Sequence, residues 1–113
     1  MSGRYLLDTN IIIALFAGDG LIKERLIQIE EVFTSPFVLG ELYYGAYRSR
    51  QSRRNIGRID ELALKSAILP CDSDTAQHYG MVKNQLSKKG TPIPENDLWI
   101  AASAIQHGLI LVT

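Results

Sequence analysis

Tyr5-Leu6-Leu7-Asp8-Thr9-Asn10 is the stretch on which the fold turns. Leu6 to Asp8 reads as a short strand, apolar without alternation, as in a parallel sheet covered on both faces. Asp8 breaks the apolar run, and Ile11, Ile12, Ile13, Ala14, Leu15 and Phe16 resume it. It is the only charged residue between Arg4 and Asp19. A carboxylate among so many apolar neighbours is costly to bury unless something compensates it.

Working outward, Asn10 to Ala17 predicts a helix closed by Gly18 and Gly20. Leu21 to Glu31 predicts a second, with Ile22, Leu26 and Ile29 at helical spacing. Val32-Phe33-Thr34 is the next short strand. Ser35 then caps a helix whose first residue is Pro36, a strong start signal, and which runs to about Arg48. Gly40 and Gly45 inside it cost about 1 kcal/mol each relative to Ala, which close backbone packing would explain. Asn55 to Lys65 forms a further helix, and Ala67-Ile68-Leu69 a third strand ended by Pro70. Ser73 or Asp74 caps a helix from about Thr75 to Lys88, stopped by Gly90. Thr91-Pro92-Ile93-Pro94 is a stiff extended loop. Glu95 or Asn96 opens the last helix, with Leu98, Ala101, Ala102 and Ile105 as its apolar stripe. Gly108 ends it before a fourth buried strand, Leu109 to Val112. Strands alternating with helices give an α/β fold around a parallel sheet.

The isolation of Asp8 is repeated twice. Glu41 is the only charge between Glu31 and Arg48, and Asp97 is the last charge in the chain. In parallel sheets, ligands collect at the carboxyl ends of the strands. Asp8 is at such an end, and Glu41 and Asp97 lie in the early turns of helices that face the same edge. Three lone acids in core-forming segments point to one shared partner. Carboxylate oxygens are hard ligands suited to Mg²⁺ or Mn²⁺. Taken singly, each acid also fits a helix cap or an ion pair with Arg. Asn10 is placed to hydrogen-bond a ligand carboxylate or a phosphate oxygen without adding charge. Arg48, Arg50, Arg53, Arg54 and Arg58 form a segment with no acid, just after the Glu41 helix. Guanidinium forks suit phosphate, so Arg48, Arg50, Arg53 and Arg54 are candidate substrate contacts; a solvated helix connection is the plain alternative. Thr9 and Thr113, flanking the acidic strand ends, are candidates to support the acids from behind.

Composition narrows the rest. A chain of 113 residues is one domain, 1–113, and 46% hydrophobic content suffices for a core. Twelve basic and twelve acidic residues leave no net charge, so bulk charge neither favours nor disfavours nucleic acid. The single Cys71 has no internal partner, which fits a reducing cytoplasm, and reads as a small buried residue near a strand end. The longest stretch free of Asp, Glu, Lys and Arg is Leu98 to Thr113, interrupted by Gln106, His107 and Gly108. That is short of the roughly 20 apolar residues a membrane-spanning helix needs. Asp8 and Asn10 interrupt what would otherwise be a signal-peptide core. His78 and His107 have no metal-ligand spacing. Tyr43, Tyr44 and Tyr47 are at helical spacing and are expected in the core or at a contact between two copies. No glycine-rich nucleotide loop is present.

Four segments in order resemble the PIN domain, and most closely the VapC toxins of VapBC toxin–antitoxin pairs. They are Leu6-Leu7-Asp8-Thr9-Asn10-Ile11-Ile12, Ser35-Pro36 with Glu41-Leu42-Tyr43-Tyr44-Gly45, Ile93 to Ala102, and Gly108 to Thr113. The resemblance implies a three-layer fold with a short parallel sheet flanked by helices, and a metal-dependent endoribonuclease. It implies Mg²⁺ or Mn²⁺ held by Asp8 and Asp97, with Glu41 a further member of the acidic site. It also implies an RNA substrate, a VapB-type antitoxin, a homodimer and a cytoplasmic setting. Proteins of this pattern continue past the strand ending at Thr113 with another acid, a helix and a fifth strand, so four strands are expected here. A catalytically weak domain that mainly binds antitoxin or RNA is the alternative. Phosphotransfer through Asp8 is disfavoured, because Asn10 stands where a second acid would be needed.

Overall fold

The computed structural model describes residues 4–28 and 31–113. The chain runs β1 (Arg4–Leu7), α1 (Thr9–Phe16), α2 (Gly20–Ile27), β2 (Glu31–Thr34), α3 (Pro36–Arg48), α4 (Ser52–Lys65), β3 (Ala67–Ile68), α5 (Ser73–Lys89), α6 (Glu95–His107) and β4 (Ile110–Val112). All pairings are parallel, in the order β3-β2-β1-β4. β1 is therefore central, with Leu6 opposite both Phe33 and Leu111. Its apolar run is the part of the chain most enclosed: Leu6 and Leu7 are almost fully buried.

The strand order decides where a site can form. β1, β2 and β3 are laid down in one direction, and the chain then returns across the sheet to place β4 on the other side of β1. Crossovers between parallel strands are right-handed, so α1–α4 and α5–α6 lie on opposite faces. The sequence direction reverses between β1 and β4, and a crevice opens at that switch point beyond the carboxyl end of β1. The backbone N–H of Asp8 donates to the Val112 carbonyl at 2.9 Å, which fixes Asp8 at the lip of the crevice.

Helix boundaries follow local chemistry. Ser35 Oγ accepts from the Val38 N–H at 3.2 Å and Pro36 opens α3, as expected. Asp72, rather than Ser73 or Asp74, caps α5 through a reciprocal arrangement with Thr75. The cap residue must stay extended, and Asp72 does, while Ser73 already belongs to the helix. Gly90 and Gly108 end α5 and α6 in the left-handed conformation that favours glycine. α6 opens at Glu95, one of the two residues expected to open it, after Pro94 and without a side-chain cap.

Several expectations are corrected. Gly20 begins α2, with Asp19 as its cap, rather than closing α1. α2 ends at Ile27, and Glu31 belongs to β2, opposite Arg4; ladder pairing overrides the helical pattern there. Ile29 and Glu30, assigned to that helix from the sequence, lie outside the described residues. A Cβ added at Gly40 or Gly45 would meet nothing within 4 Å, so close packing does not account for either. The buried face of α6 is Leu98, Ile100, Ala102, Ser103 and Ala104, while Ile105 is exposed. Cys71 is exposed rather than buried, because it follows β3 at the sheet's outer edge. Of the three tyrosines of α3, Tyr43 packs against the core, whereas Tyr44 and Tyr47 are exposed, which leaves for them the alternative of a contact between copies. Among the described residues, no helix is long and apolar enough to cross a membrane.

Candidate metal centre

Asp8, Glu41 and Asp97 come together at the crevice. Asp8 caps α1, its Oδ1 accepting from the Thr9 N–H at 2.7 Å. Glu41 stands in the second turn of α3 and Asp97 in the first turn of α6. One carboxylate oxygen from each lies within 4.8 Å of the other two. Two ligands on an ion held at about 2.1 Å are at most about 4.2 Å apart, so modest side-chain rotation closes the set around one small cation.

Electrostatics fit the same partner. Burial first, and then the charges of Asp8 and Glu41, hold the Asp97 carboxyl above its ordinary value. Among the described residues, the ion pairs are Lys65–Glu61 and Lys83–Glu95, and neither touches the cluster. Three crowded carboxylates without a cationic side chain form a site whose charge a divalent ion would balance. The donor set is all oxygen and favours Mg²⁺ or Mn²⁺ over softer metals.

The supporting residues are only partly those expected. Thr9 Oγ1 donates to Glu41 Oε1 at 3.0 Å. Thr113 is exposed, and its neighbour Val112 supplies the β4 contact to Asp8. Asn10 is exposed, two positions beyond Asp8. Asn96, expected only to open α6, donates from its Nδ2 to Glu41 Oε1 at 2.5 Å. No sequence signal joins positions 41 and 96; the contact exists only because α3 and α6 begin at the same sheet edge.

The basic segment divides. Arg48 bonds the Tyr44 hydroxyl at 3.2 Å, and Arg54 bonds Gln51 Oε1 at 3.1 Å. Arg50 and Arg53 are exposed. None of these four lines the cavity that adjoins Glu41. Arg58 does, in a cavity of about 230 Å³ shared with Ile13, Leu42 and Asn55. Its Nη2 donates to the Phe16 carbonyl at 2.5 Å, and its guanidinium lies 4.5 Å from the Phe16 ring centre. Sequence reasoning included Arg58 in the segment without singling it out. Its i,i+4 spacing from Leu62, which packs against the core, is the available signal. A larger cavity, about 510 Å³, lies between α2 and strands β1 and β4. Its lining includes Leu21, Leu26 and Val112 but none of the three acids, so size alone does not mark the chemistry here.

The PIN domain family model matches residues 5–113. Ribonuclease VapC2 of Haemophilus influenzae is 40% identical, with 97% of this chain and 85% of that protein covered. The tRNA(fMet)-specific endonuclease VapC of Shigella flexneri is 32% identical, with 97% and 85% covered. Among solved structures, VapBC-1 from nontypeable Haemophilus influenzae superposes with a TM-score of 0.87 at 36% identity, covering 97% of this chain and 85% of that one. VapBC2 from Rickettsia felis, solved with a promoter DNA fragment, superposes at 0.89 with 30% identity, covering 97% and 86%. The order of strands, the acids at the β1 edge and these similarities converge: the chain belongs to the PIN domain family and stands among its VapC proteins.

Proposed function

We propose that this protein is a metal-dependent endoribonuclease, the toxin partner of a VapB-type antitoxin. One observation carries the reading: three carboxylates from three separate elements share a space of cation size, and among the described residues none of them forms an ion pair with Lys or Arg. Asp8, Glu41 and Asp97 would hold Mg²⁺ or Mn²⁺. An ion so placed lowers the pKa of a bound water and offsets charge on a phosphodiester.

The chain's own groups supply placement. Asp8 is held by its cap bond, Glu41 by Thr9 and Asn96, and Asp97 is carried on the first turn of α6. Arg58 offers the guanidinium edge not used by Phe16 to a phosphate beside Glu41. Arg48, Arg50, Arg53 and Arg54 extend that positive surface along the polynucleotide, and Asn10 provides a neutral contact at the rim. RNA as substrate agrees with the names of the relatives, and a cytoplasmic setting goes with that substrate. An antitoxin partner is supported by the relatives solved as VapBC complexes. The exposed Tyr44 and Tyr47 give a second copy an aromatic surface to meet.

The test is hydrolysis of purified tRNA and ribosomal RNA with Mg²⁺ or Mn²⁺. Cleavage should vanish in chelator and in Asp8→Ala, with at least a hundredfold loss of rate. Turnover that persists in excess chelator would refute the mechanism. RNA or antitoxin binding with no cleavage under any metal would make the protein a binding module instead.

A further inference from the structure

Asn96 joins two of the three elements that build the centre. Its Nδ2 amide donates to Glu41 Oε1 at 2.5 Å and to the Phe37 carbonyl at 3.4 Å. Three residues along α6, the Trp99 ring stacks on Phe37 with centroids 5.3 Å apart. Phe37 and Glu41 are themselves four residues apart on α3. Residues at these spacings share a helix face, so one face of α6 is registered on one face of α3 through two contacts. The same turn is anchored to α5 as well. Glu95 accepts from Lys83 Nζ at 2.7 Å and from the Tyr79 hydroxyl, while the Tyr79 ring stacks on Trp99 at 4.0 Å.

A plain role in starting α6 does not describe this residue, because its side-chain bonds go to α3 and not back to its own helix. Nor is the choice of amide incidental. Glu has three rotatable side-chain bonds, and each must be held if its carboxylate is to sit ready for a ligand. A Lys or Arg would hold it but cancel its charge; an Asp would repel it. The neutral amide, together with the Thr9 hydroxyl, holds Oε1 and leaves the carboxylate's charge intact. Among the described residues, Oε2 makes no hydrogen bond.

We propose that Asn96 is a positioning residue: it orients Glu41 for a divalent cation by neutral hydrogen bonding across the α3–α6 contact. This rests on the metal-centre reading above. Partners one step behind metal ligands commonly govern affinity by about 10–100-fold. Mn²⁺ binding to the purified protein, followed by the electron paramagnetic resonance of free Mn²⁺, tests it without reference to cleavage. Asn96→Ala should weaken Mn²⁺ binding about tenfold. Asn96→Leu, which keeps the volume and removes the donors, should do the same while melting in chelator close to the parent. In a Glu41→Gln background, Asn96→Ala should add nothing further, since its effect passes through that carboxylate. Parent-like Mn²⁺ affinity in Asn96→Leu, or an equal loss on both backgrounds, overturns the proposal. A parent protein that binds no Mn²⁺ overturns the metal-centre reading and the proposal with it, which separates the two failures.

Discussion

Replacing Asp97 with Asn should make the metal-free protein more stable while abolishing its response to metal. With carboxylate oxygens within 4.8 Å of one another, Coulomb's law gives about 3.5 kcal/mol per pair at an effective dielectric of 20 and about 0.9 in bulk water. Asp97 is exposed, so screening keeps each pair near the lower figure, and its two pairs together cost about 1–2 kcal/mol. Against this stands the attraction of an acid for a helix N-terminus, worth about 0.3–1 kcal/mol. Among the described residues the Asp97 side chain accepts no hydrogen bond, so the amide loses none. The net gain is about 0.5–1 kcal/mol, or roughly 2–5 °C in melting temperature for a domain of this size.

Calorimetry in low-salt buffer with chelator measures that gain. The pH dependence gives a second signature. Asp97 is raised in the folded state, so the native protein binds its proton more readily than the unfolded chain. The associated penalty is complete above the folded value and is relieved as pH falls through it towards the ordinary aspartate value. The stability difference between Asp97→Asn and its parent should therefore shrink on acidification across that window. Added Mg²⁺ should raise the melting temperature of the parent and leave the variant unmoved. A variant that melts lower than its parent in chelator would refute the reasoning, because Asp97 would then be stabilising its helix rather than straining the cluster.

Three further outcomes are expected. Gly40→Ala should stabilise the protein by about 0.5–1 kcal/mol in denaturant titration, since the added methyl meets nothing and helix propensity improves. Arg58→Ala should raise KM for RNA several-fold and flatten the dependence of binding on salt, whereas Arg50→Ala should do less; equal effects would remove Arg58 from its special place. Asp72→Ala should lower the midpoint of chemical denaturation, because it removes the α5 cap and the 2.9 Å bond from Gln106; an unchanged midpoint would show that the cap contributes nothing.

The strands and helices were legible wherever hydrophobic pattern and cap chemistry agreed. Leu6 and Leu7 declared a doubly covered strand, and Ser35-Pro36 declared the start of α3. The acids were legible because each stands alone among apolar residues, which is rare without a reason. What escaped depends on neighbours that sequence spacing does not reveal. The end of α2 was set by a strand partner, Arg4, far from it in the chain. Asn96 looked like a helix opener because its target, Glu41, belongs to another element. The arginines resembled one another in sequence; only the fold separates Arg58, packed on Phe16, from those facing solvent. Gly40 remains a residue for which the structure supplies no physical account.

The sheet order has a consequence for synthesis. Asp8 leaves the ribosome early, whereas Asp97 and the β4 strand that bonds beside Asp8 emerge some ninety to a hundred residues later. A protein capable of cutting RNA is made on a machine built from it. Under the proposed function, a growing chain carries no complete acidic cluster while most of it is still being threaded past ribosomal RNA, because the first acid waits for the last to be translated.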